Sequence, residues 1–314
     1  MTLSLLQTAG GLILLAIGAE LLVRAAAALA RRGGLSPLVV GLTVVSIGTS
    51  MPELVVSLDA AIQNKEAIGI GNIVGSNISN IALILGLAAL VRPMDVEAQV
   101  VRLDVPILVA VSLLLVVLVM DGGLGGLDGG ILTVGVVGYL GFTVWSARKT
   151  SAPIQDEVAD LLPAQASLLR DLGFMIVGVG GLVLGADLLV EGAVRIARLY
   201  EVPQLVVGLT VVAVGTSLPE LATSLSAAYR GKGTIAIGNA IGSCILNILG
   251  ILGLTAVVVP LSTAALSSVE LVLMVGLAVL VLPLLRSDYT LSRAEGAGLL
   301  ALYLGYMVFL FTGG

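Results

Sequence analysis

The chain has 314 residues, of which 58 % are hydrophobic and only 11 % are charged. This composition excludes an ordinary soluble domain, in which about 25 % of residues carry charge. The formal net charge of −5 says little about partners, because in a membrane protein the distribution of charge between loops matters more than its sum. The absence of histidine removes the usual ligand of zinc and copper, and we expect the single cysteine, Cys244, to be a small packing residue.

Ten apolar runs of about 20 residues, each bounded by charge, proline or glycine, are predicted to cross a membrane as helices. The first run has no basic segment before it and no clear cleavage site, so we expect it to be retained as a span. The sequence therefore predicts an all-α membrane protein with ten transmembrane helices. In chain order these lie near residues 3–30, 36–62, 68–91, 104–120, 127–146, 171–197, 203–229, 234–258, 268–285 and 294–311.

Part of the sequence is duplicated. Residues 41–93 occur again as residues 208–260, at a constant offset of 167 and with 32 of 53 positions identical. Each half has five predicted spans, and because five is odd the second half enters the membrane from the opposite side. We therefore expect two inverted five-helix repeats, 1–146 and 171–314, joined by a linker, 147–170.

The distribution of Lys and Arg predicts the orientation. Twelve of these residues fall on the side that holds the linker and three on the other, which places the linker in the cytoplasm and both termini outside a plasma membrane. Asp156, Glu157 and Asp160 of the linker could bind a regulatory cation, but a solvated linker is the favoured interpretation.

Polar residues interrupt the second span at helical spacing. Four of them lie at i, i+3, i+4 and i+7, on one helical face. A proline within this face removes a backbone donor, and a helix break at membrane depth is tolerated where it lines a polar cavity. In the second span this polar face and its proline are Ser46, Thr49, Ser50, Glu53 and Pro52. Their counterparts in the seventh span are Ala213, Thr216, Ser217, Glu220 and Pro219.

The third and eighth spans add further oxygen atoms. We interpret Ser76, Asn80, Ser243 and Asn247 as neutral oxygen ligands that complete a cation site. Asn72 and Asn239 each follow a glycine near the start of a span, so helix capping is an equal alternative for them. A set made only of oxygen ligands suits hard cations such as Na⁺ and Ca²⁺ and suits soft metals poorly.

Membrane-embedded polar residues can also simply hold helices together. For a single Ser or Thr that interpretation is the favoured one, since hydroxyls bond readily to backbone carbonyls. For Glu53 and Glu220 it is not, because a carboxylate in the hydrocarbon core costs several kcal/mol and neither half supplies an obvious Lys or Arg at that depth. A cation from solution is the most economical partner for both.

Three more acidic residues, Glu20, Asp187 and Glu191, lie on the first and sixth spans. They are candidates for the ion pathway. Pairing with Arg24 and Arg195, one helical turn along, is the favoured alternative.

The duplicated motifs resemble the two alpha repeats of the calcium/cation antiporter superfamily, specifically its sodium/calcium exchanger branch. Together with the ten-span layout, the resemblance covers nearly the whole chain. The matching segments are GTSMPE at 48–53, GNIVGSNISN at 71–80, GTSLPE at 215–220 and GNAIGSCILN at 238–247.

The resemblance implies a secondary active antiporter that exchanges Na⁺ for Ca²⁺ by alternating access, with these ions as its cargo and no cofactor. The first and sixth spans would slide across a rigid core as the gate, and the protein would function as a monomer in the bilayer, without nucleic acid. The Ca²⁺ site would use Thr49, Glu53, Thr216 and Glu220. The Na⁺ sites would add Ser76, Ser243 and the backbone carbonyls of Ser46 and Ala213, with Asn80 and Asn247 facing the centre and Ser50 and Ser217 supporting it.

One position departs from the family's pattern, since many exchangers carry an aspartate where this chain has Asn247. Two glutamates neutralise one Ca²⁺ or two Na⁺, and a third Na⁺ would leave a net positive charge in a low-dielectric site. We therefore expect weakly electrogenic or electroneutral exchange.

Three alternatives remain. A proton-coupled Ca²⁺ antiporter is the nearest, because a buried carboxyl group can carry a proton. A cation channel could use the same ligands, although an inverted repeat with one central site favours alternating access. A membrane enzyme is disfavoured, because the chain has no histidine, one cysteine and no nucleophile–base pair.

Overall fold

A computed structural model describes residues 2–33, 36–64, 66–149, 168–199, 213–263, 266 and 268–311. The acidic linker residues Asp156, Glu157 and Asp160 lie outside these ranges, as does the first part of the predicted seventh span.

Helices make up nearly all of the described chain. They are α1 (Thr2–Gly33), α2 (Pro37–Val40), α3 (Ser46–Thr49), α4 (Met51–Ile62), α5 (Glu66–Ile78), α6 (Gly86–Val91), α7 (Val105–Leu118), α8 (Gly126–Lys149), α9 (Leu168–Leu199), α10 (Ala213–Thr216), α11 (Leu218–Tyr229), α12 (Gly233–Leu246), α13 (Gly253–Val258), α14 (Ser268–Ser287) and α15 (Arg293–Phe311). Four π-helical segments continue or join them, at Gly41–Val45, Ser79–Leu85, Val100–Asp104 and Asn247–Leu252.

Within the described ranges, seven helices are long and apolar enough to cross a membrane, or eight if one bent pair counts as a single span. The observed helices follow the predicted spans closely. The fourth span begins at residue 100 rather than 104, because a π-helical segment precedes α7. The chain is therefore a helical membrane protein.

The bent pair lies at the predicted proline break. The segment that ends with α3 and the helix α4 meet at an angle of 44°. Ser50 lies between them with φ −83° and ψ 10°, and Pro52 is the second residue of α4. The second copy of the motif folds in the same way, since Ser217 has φ −85° and ψ 6° and Pro219 is the second residue of α11. The prediction that proline interrupts the second and seventh spans is confirmed.

In the described ranges, four short strands connect the two halves of the chain. β1 (Met94–Asp95) pairs antiparallel with β4 (Thr290–Leu291), and β2 (Gly123–Leu124) pairs antiparallel with β3 (Leu261–Ser262). Under the offset of 167 residues β1 corresponds to β3 and β2 to β4, so the two pairings are equivalent. The structural correspondence of the halves thus continues past residues 93 and 260, where the sequence similarity fades.

Helix α12 lies directly against the backbone of the segment that contains the first proline break. A Cβ atom built on Gly242 would lie 2.7 Å from the carbonyl oxygen of Leu42 and 2.7 Å from Ser46 Oγ. Glycine is needed here because any side chain would push the two segments apart. This close approach brings polar residues of the eighth span to those of the second.

Helices α1 and α9 pack against each other, also through glycine. A Cβ atom on Gly18 would lie 2.8 Å from the carbonyl oxygen of Gly178. Near one end of the pair, Arg32 Nε donates a hydrogen bond to Asp171 Oδ2 at 2.9 Å, which joins the end of α1 to the first turn of α9.

Candidate cation-binding site

Two fully buried carboxyl groups form the centre of the site. Glu53 and Glu220 are each 0 % exposed, and each is the third residue of the helix that follows a proline break. The amino-terminal end of a helix carries a partial positive charge and free backbone N–H groups, which favour a negative charge there. The break therefore places each carboxyl group where a helix end stabilises its ionised form.

The hydrogen bonds of these carboxyl groups cross between the two halves. Ser50 Oγ donates to Glu220 Oε1 at 2.8 Å, and Ser217 Oγ donates to Glu53 Oε1 at 3.1 Å. Ser50 and Ser217 are the residues at which the two helices break. Each half thus supplies the serine that binds the glutamate of the other half, and the two carboxyl groups belong to one connected site.

Serines of the third and eighth spans complete this arrangement. Ser76 Oγ lies 3.1 Å from Ser217 Oγ and 3.5 Å from Glu53 Oε1. Its counterpart, Ser243 Oγ, lies 3.1 Å from Ser50 Oγ and 3.5 Å from Glu220 Oε1. Each glutamate therefore contacts one serine from its own half and one from the other.

Several buried polar atoms of the site have no hydrogen-bond partner among the described residues. They are Oε2 of Glu53, Oε2 of Glu220, Oδ1 of Asn247 and both amide atoms of Asn80. A buried acceptor without a partner costs free energy, and natural proteins satisfy nearly all such groups. Oxygen atoms in this condition are ligands available to a cation.

The two threonines are held by asparagines of the opposite half. Thr49 Oγ1 donates to Asn239 Oδ1 at 3.2 Å, and Thr216 Oγ1 donates to Asn72 Oδ1 at 3.0 Å. Each threonine hydroxyl is therefore held in place by an amide group of the other half.

Helix capping is the wrong interpretation for Asn72 and Asn239. Both residues lie inside helices, in α5 and α12, several residues after the helix begins. Their amide nitrogens donate to serines that precede them in the same half. Asn72 Nδ2 lies 3.2 Å from Ser57 Oγ, and Asn239 Nδ2 lies 3.1 Å from Ser224 Oγ.

The backbone carbonyls that the resemblance implies lie at the same bends. Ser46 is fully buried, and its carbonyl oxygen accepts the amide of Ser50 at 3.0 Å and the hydroxyl of Thr49 at 3.4 Å. Ala213 is the first residue of α10, and the chain before it lies outside the described residues.

The structure adds one residue to the site that the sequence pattern did not indicate. Asn77 is buried, and its Oδ1 accepts a hydrogen bond from Asn247 Nδ2 at 3.1 Å. Its counterpart in the second half is Cys244, so the duplication gave no signal for it. Asn77 is also off the helical face shared by Asn72, Ser76 and Asn80.

Outside the centre, the predicted pairing of Glu20 with Arg24 is confirmed. Glu20 also forms an ion pair with Arg230, in the turn between α11 and α12, which the sequence alone did not indicate. The side chains of Glu191 and Arg195 lie outside the described part of the structure. Among residues whose placement is described, no lysine or arginine forms an ion pair with Glu53 or Glu220.

Two buried carboxyl groups, surrounded by hydroxyl and amide oxygens inside a helical membrane protein, define a cation-binding membrane protein of the transporter type. The family model described as "Sodium/calcium exchanger protein" matches residues 3–146 and 171–312. The chain belongs to the sodium/calcium exchanger family and is a membrane antiporter.

Similar proteins cover most of the chain. Sodium/calcium exchanger MaX1 of Methanosarcina acetivorans is 33 % identical over 337 residues, covering 96 % of this chain and 96 % of its own length. Inner membrane protein YrbG of Escherichia coli is 40 % identical over 257 residues, covering 80 % of this chain and 78 % of its own. Among solved structures, the sodium-calcium exchanger NCX_Mj has a TM-score of 0.85 at 34 % identity, covering 98 % of both chains.

Proposed function

We propose that this protein exchanges Na⁺ for Ca²⁺ across the plasma membrane by alternating access. The observation that carries the proposal is the pair of buried carboxyl groups, Glu53 and Glu220, each with one oxygen bonded across the halves and one oxygen without a partner in the described structure. Two ionised carboxylates balance one Ca²⁺, and the same two balance two Na⁺. The cations thus compete for one set of charges, which is the requirement for exchange.

The ligands divide into two groups in this proposal. Ca²⁺ is bound at the centre by Glu53, Glu220, Thr49 and Thr216. Na⁺ is bound beside it by Ser76, Ser243 and the backbone carbonyls of Ser46 and Ala213. Asn80 and Asn247 face the central site, and Ser50 and Ser217 support it through their hydrogen bonds to the carboxyl groups.

The proposed architecture is ten spans in two inverted repeats, 1–146 and 171–314, with a cytoplasmic linker at 147–170 and both termini outside. The two strand pairs, each of which joins one strand of the first half to one of the second, support this architecture. β1 follows the third span and β4 follows the ninth, and an even number of crossings separates them, so both lie on one side of the membrane. β2 and β3 pair in the same way on the other side.

Two inverted copies give two equivalent gates, which is the basis of alternating access in secondary transporters. The packed pair α1 and α9 is the moving part in this account, since it comes from corresponding positions in the two halves. The names of the relatives MaX1 and NCX_Mj, both given as sodium–calcium exchangers, agree with the proposed substrates.

The test is ⁴⁵Ca²⁺ uptake into proteoliposomes that contain the purified protein. An outward Na⁺ gradient is compared with an outward K⁺ gradient and with a proton gradient, with the membrane voltage clamped by an ionophore. We expect only the Na⁺ gradient to drive uptake above the level of empty liposomes. Uptake driven equally by the proton gradient would replace this proposal with proton-coupled Ca²⁺ antiport.

A further inference from the structure

A chain of hydrogen bonds runs behind the site, from a backbone carbonyl to the amide of Asn247. Asn77 Nδ2 donates to the carbonyl oxygen of Cys244 at 3.3 Å, and Asn247 Nδ2 donates to Asn77 Oδ1 at 3.1 Å. Asn77 is 1 % exposed, and Asn247 and Cys244 are 0 % exposed. Because these groups are buried, water does not reach them, and each amide depends on its neighbour for a hydrogen-bond partner.

The carbonyl of Cys244 determines which way both amides face. A backbone carbonyl can only accept a hydrogen bond, so the group of Asn77 that faces it must be the amide nitrogen. The oxygen of Asn77 then faces Asn247, so Asn247 must donate a hydrogen bond to it from its amide nitrogen. The amide oxygen of Asn247 therefore points away from Asn77, and it has no hydrogen-bond partner among the described residues.

We propose that Asn77 is a positioning residue that fixes the Asn247 amide with its oxygen toward the bound cation. The inference rests on the proposed cation site and adds a residue that touches no ion. It also gives a physical reason for the amide at position 247. An ionised aspartate there would place its negative charge against the oxygen of Asn77, and Asn77 could not turn without placing that oxygen against the carbonyl of Cys244.

These hydrogen bonds make the two halves of the site different in spite of the duplicated sequence. The counterpart of Asn77 in the second half is Cys244, and the counterpart of Asn247 is Asn80. The thiol of Cys244 faces the carbonyl oxygen of Asn77, with Sγ 3.7 Å away. Both amide atoms of Asn80 lack a hydrogen-bond partner in the described structure, so no comparable hydrogen bonds fix the amide of Asn80.

The first experiment measures ⁴⁵Ca²⁺ binding to the purified full-length protein in detergent. Asn77→Leu keeps the branched shape of the side chain and removes both hydrogen bonds, so we expect the Kd for Ca²⁺ to rise about tenfold, the cost of one misplaced ligand. Met274→Leu is the matched control, because Met274 Sδ is the other group near Asn77 Nδ2, at 3.9 Å. Its Kd is expected to stay within about twofold of the wild type.

A second pair of variants separates positioning from helix packing. If Asn77 acts through Asn247, then Asn77→Leu adds nothing in an Asn247→Ala background, and the double variant binds Ca²⁺ as the single Asn247→Ala variant does. Equal fold-losses in both backgrounds would overturn the proposal. Asn77→Cys, which copies the second half, provides the same comparison if Asn77→Leu does not fold.

The outcomes distinguish the two levels of the argument. A wild-type protein with no saturable Ca²⁺ binding refutes the proposed function itself. Saturable wild-type binding with an unchanged Kd in both Asn77 variants refutes only the positioning role.

Discussion

The crossed serine–glutamate hydrogen bonds give the sharpest test of how the two halves share one site. Ser50→Ala removes the donor that lies 2.8 Å from Glu220 Oε1 and leaves the hydroxyl of Ser243, at 3.5 Å, as a weaker replacement. A hydrogen bond to a charged group contributes about 1.5–3 kcal/mol. Because Ser243 remains nearby, we take the lower value, which corresponds to a rise of about tenfold in the KM for Ca²⁺.

The assay is the initial rate of ⁴⁵Ca²⁺ uptake into proteoliposomes as a function of Ca²⁺ concentration. Ser217→Ala should raise the KM by a similar factor, because Ser217 binds Glu53 in the equivalent way, at 3.1 Å. Ser112→Ala is the matched control, since Ser112 is also fully buried and its hydroxyl makes no hydrogen bond within the described structure. A normal KM in Ser50→Ala, or a loss in only one of the two site variants, would refute the shared-site argument.

Three further predictions concern the gate, the packing and the charge. Glu20→Gln removes the ion pair with Arg230 that joins α1 to the core, and a partly exposed pair contributes about 0.2–1 kcal/mol, so the exchange rate should change by up to about fivefold with little effect on KM. Arg24→Gln keeps that pair and should have an exchange rate closer to wild type, and equal rates in the two variants would exclude the gate contact. Gly242→Ala should lower the melting temperature and abolish transport, because the new methyl group meets a backbone oxygen at 2.7 Å and overpacking costs about 1–3 kcal/mol. Gly71→Ala, which has open space at its Cβ, should have neither effect, and a stable and active Gly242→Ala protein would contradict the close approach of α12. Current recorded with tracer flux should show less than one net charge moved per Ca²⁺, because only Glu53 and Glu220 carry charge at the centre, and a full charge per Ca²⁺ would mean that neutral oxygens suffice for a third Na⁺.

The sequence predicted the helices well, and for a physical reason. A membrane span must be long and apolar, so its limits are visible in composition alone, and each long helix of the described residues lies close to one of the predicted runs. The proline break was also predictable, because proline acts on its own helix. The same holds for Glu20 and Arg24, which are four residues apart on one helix.

Contacts between helices were less visible in the sequence. Helical periodicity shows that Thr49 and Glu53 share a face, but not which residues of another helix that face meets. The crossed bonds of Ser50 and Ser217 therefore had to come from the structure. Asn77 was missed because it lies off the duplicated face and has cysteine as its counterpart, and Arg230 was missed because it comes from a distant turn.

The central claim is that Na⁺ and Ca²⁺ use the same two carboxyl groups in turn. It is tested most directly by measuring ²²Na⁺ and ⁴⁵Ca²⁺ fluxes together in proteoliposomes that contain wild-type protein, Glu53→Gln or Glu220→Gln. Each variant loses half of the negative charge that balances the cation but keeps the shape of the side chain. The account predicts coupled opposite fluxes in the wild type and loss of both fluxes in each variant, with normal folding. Survival of either flux in a folded variant would contradict it.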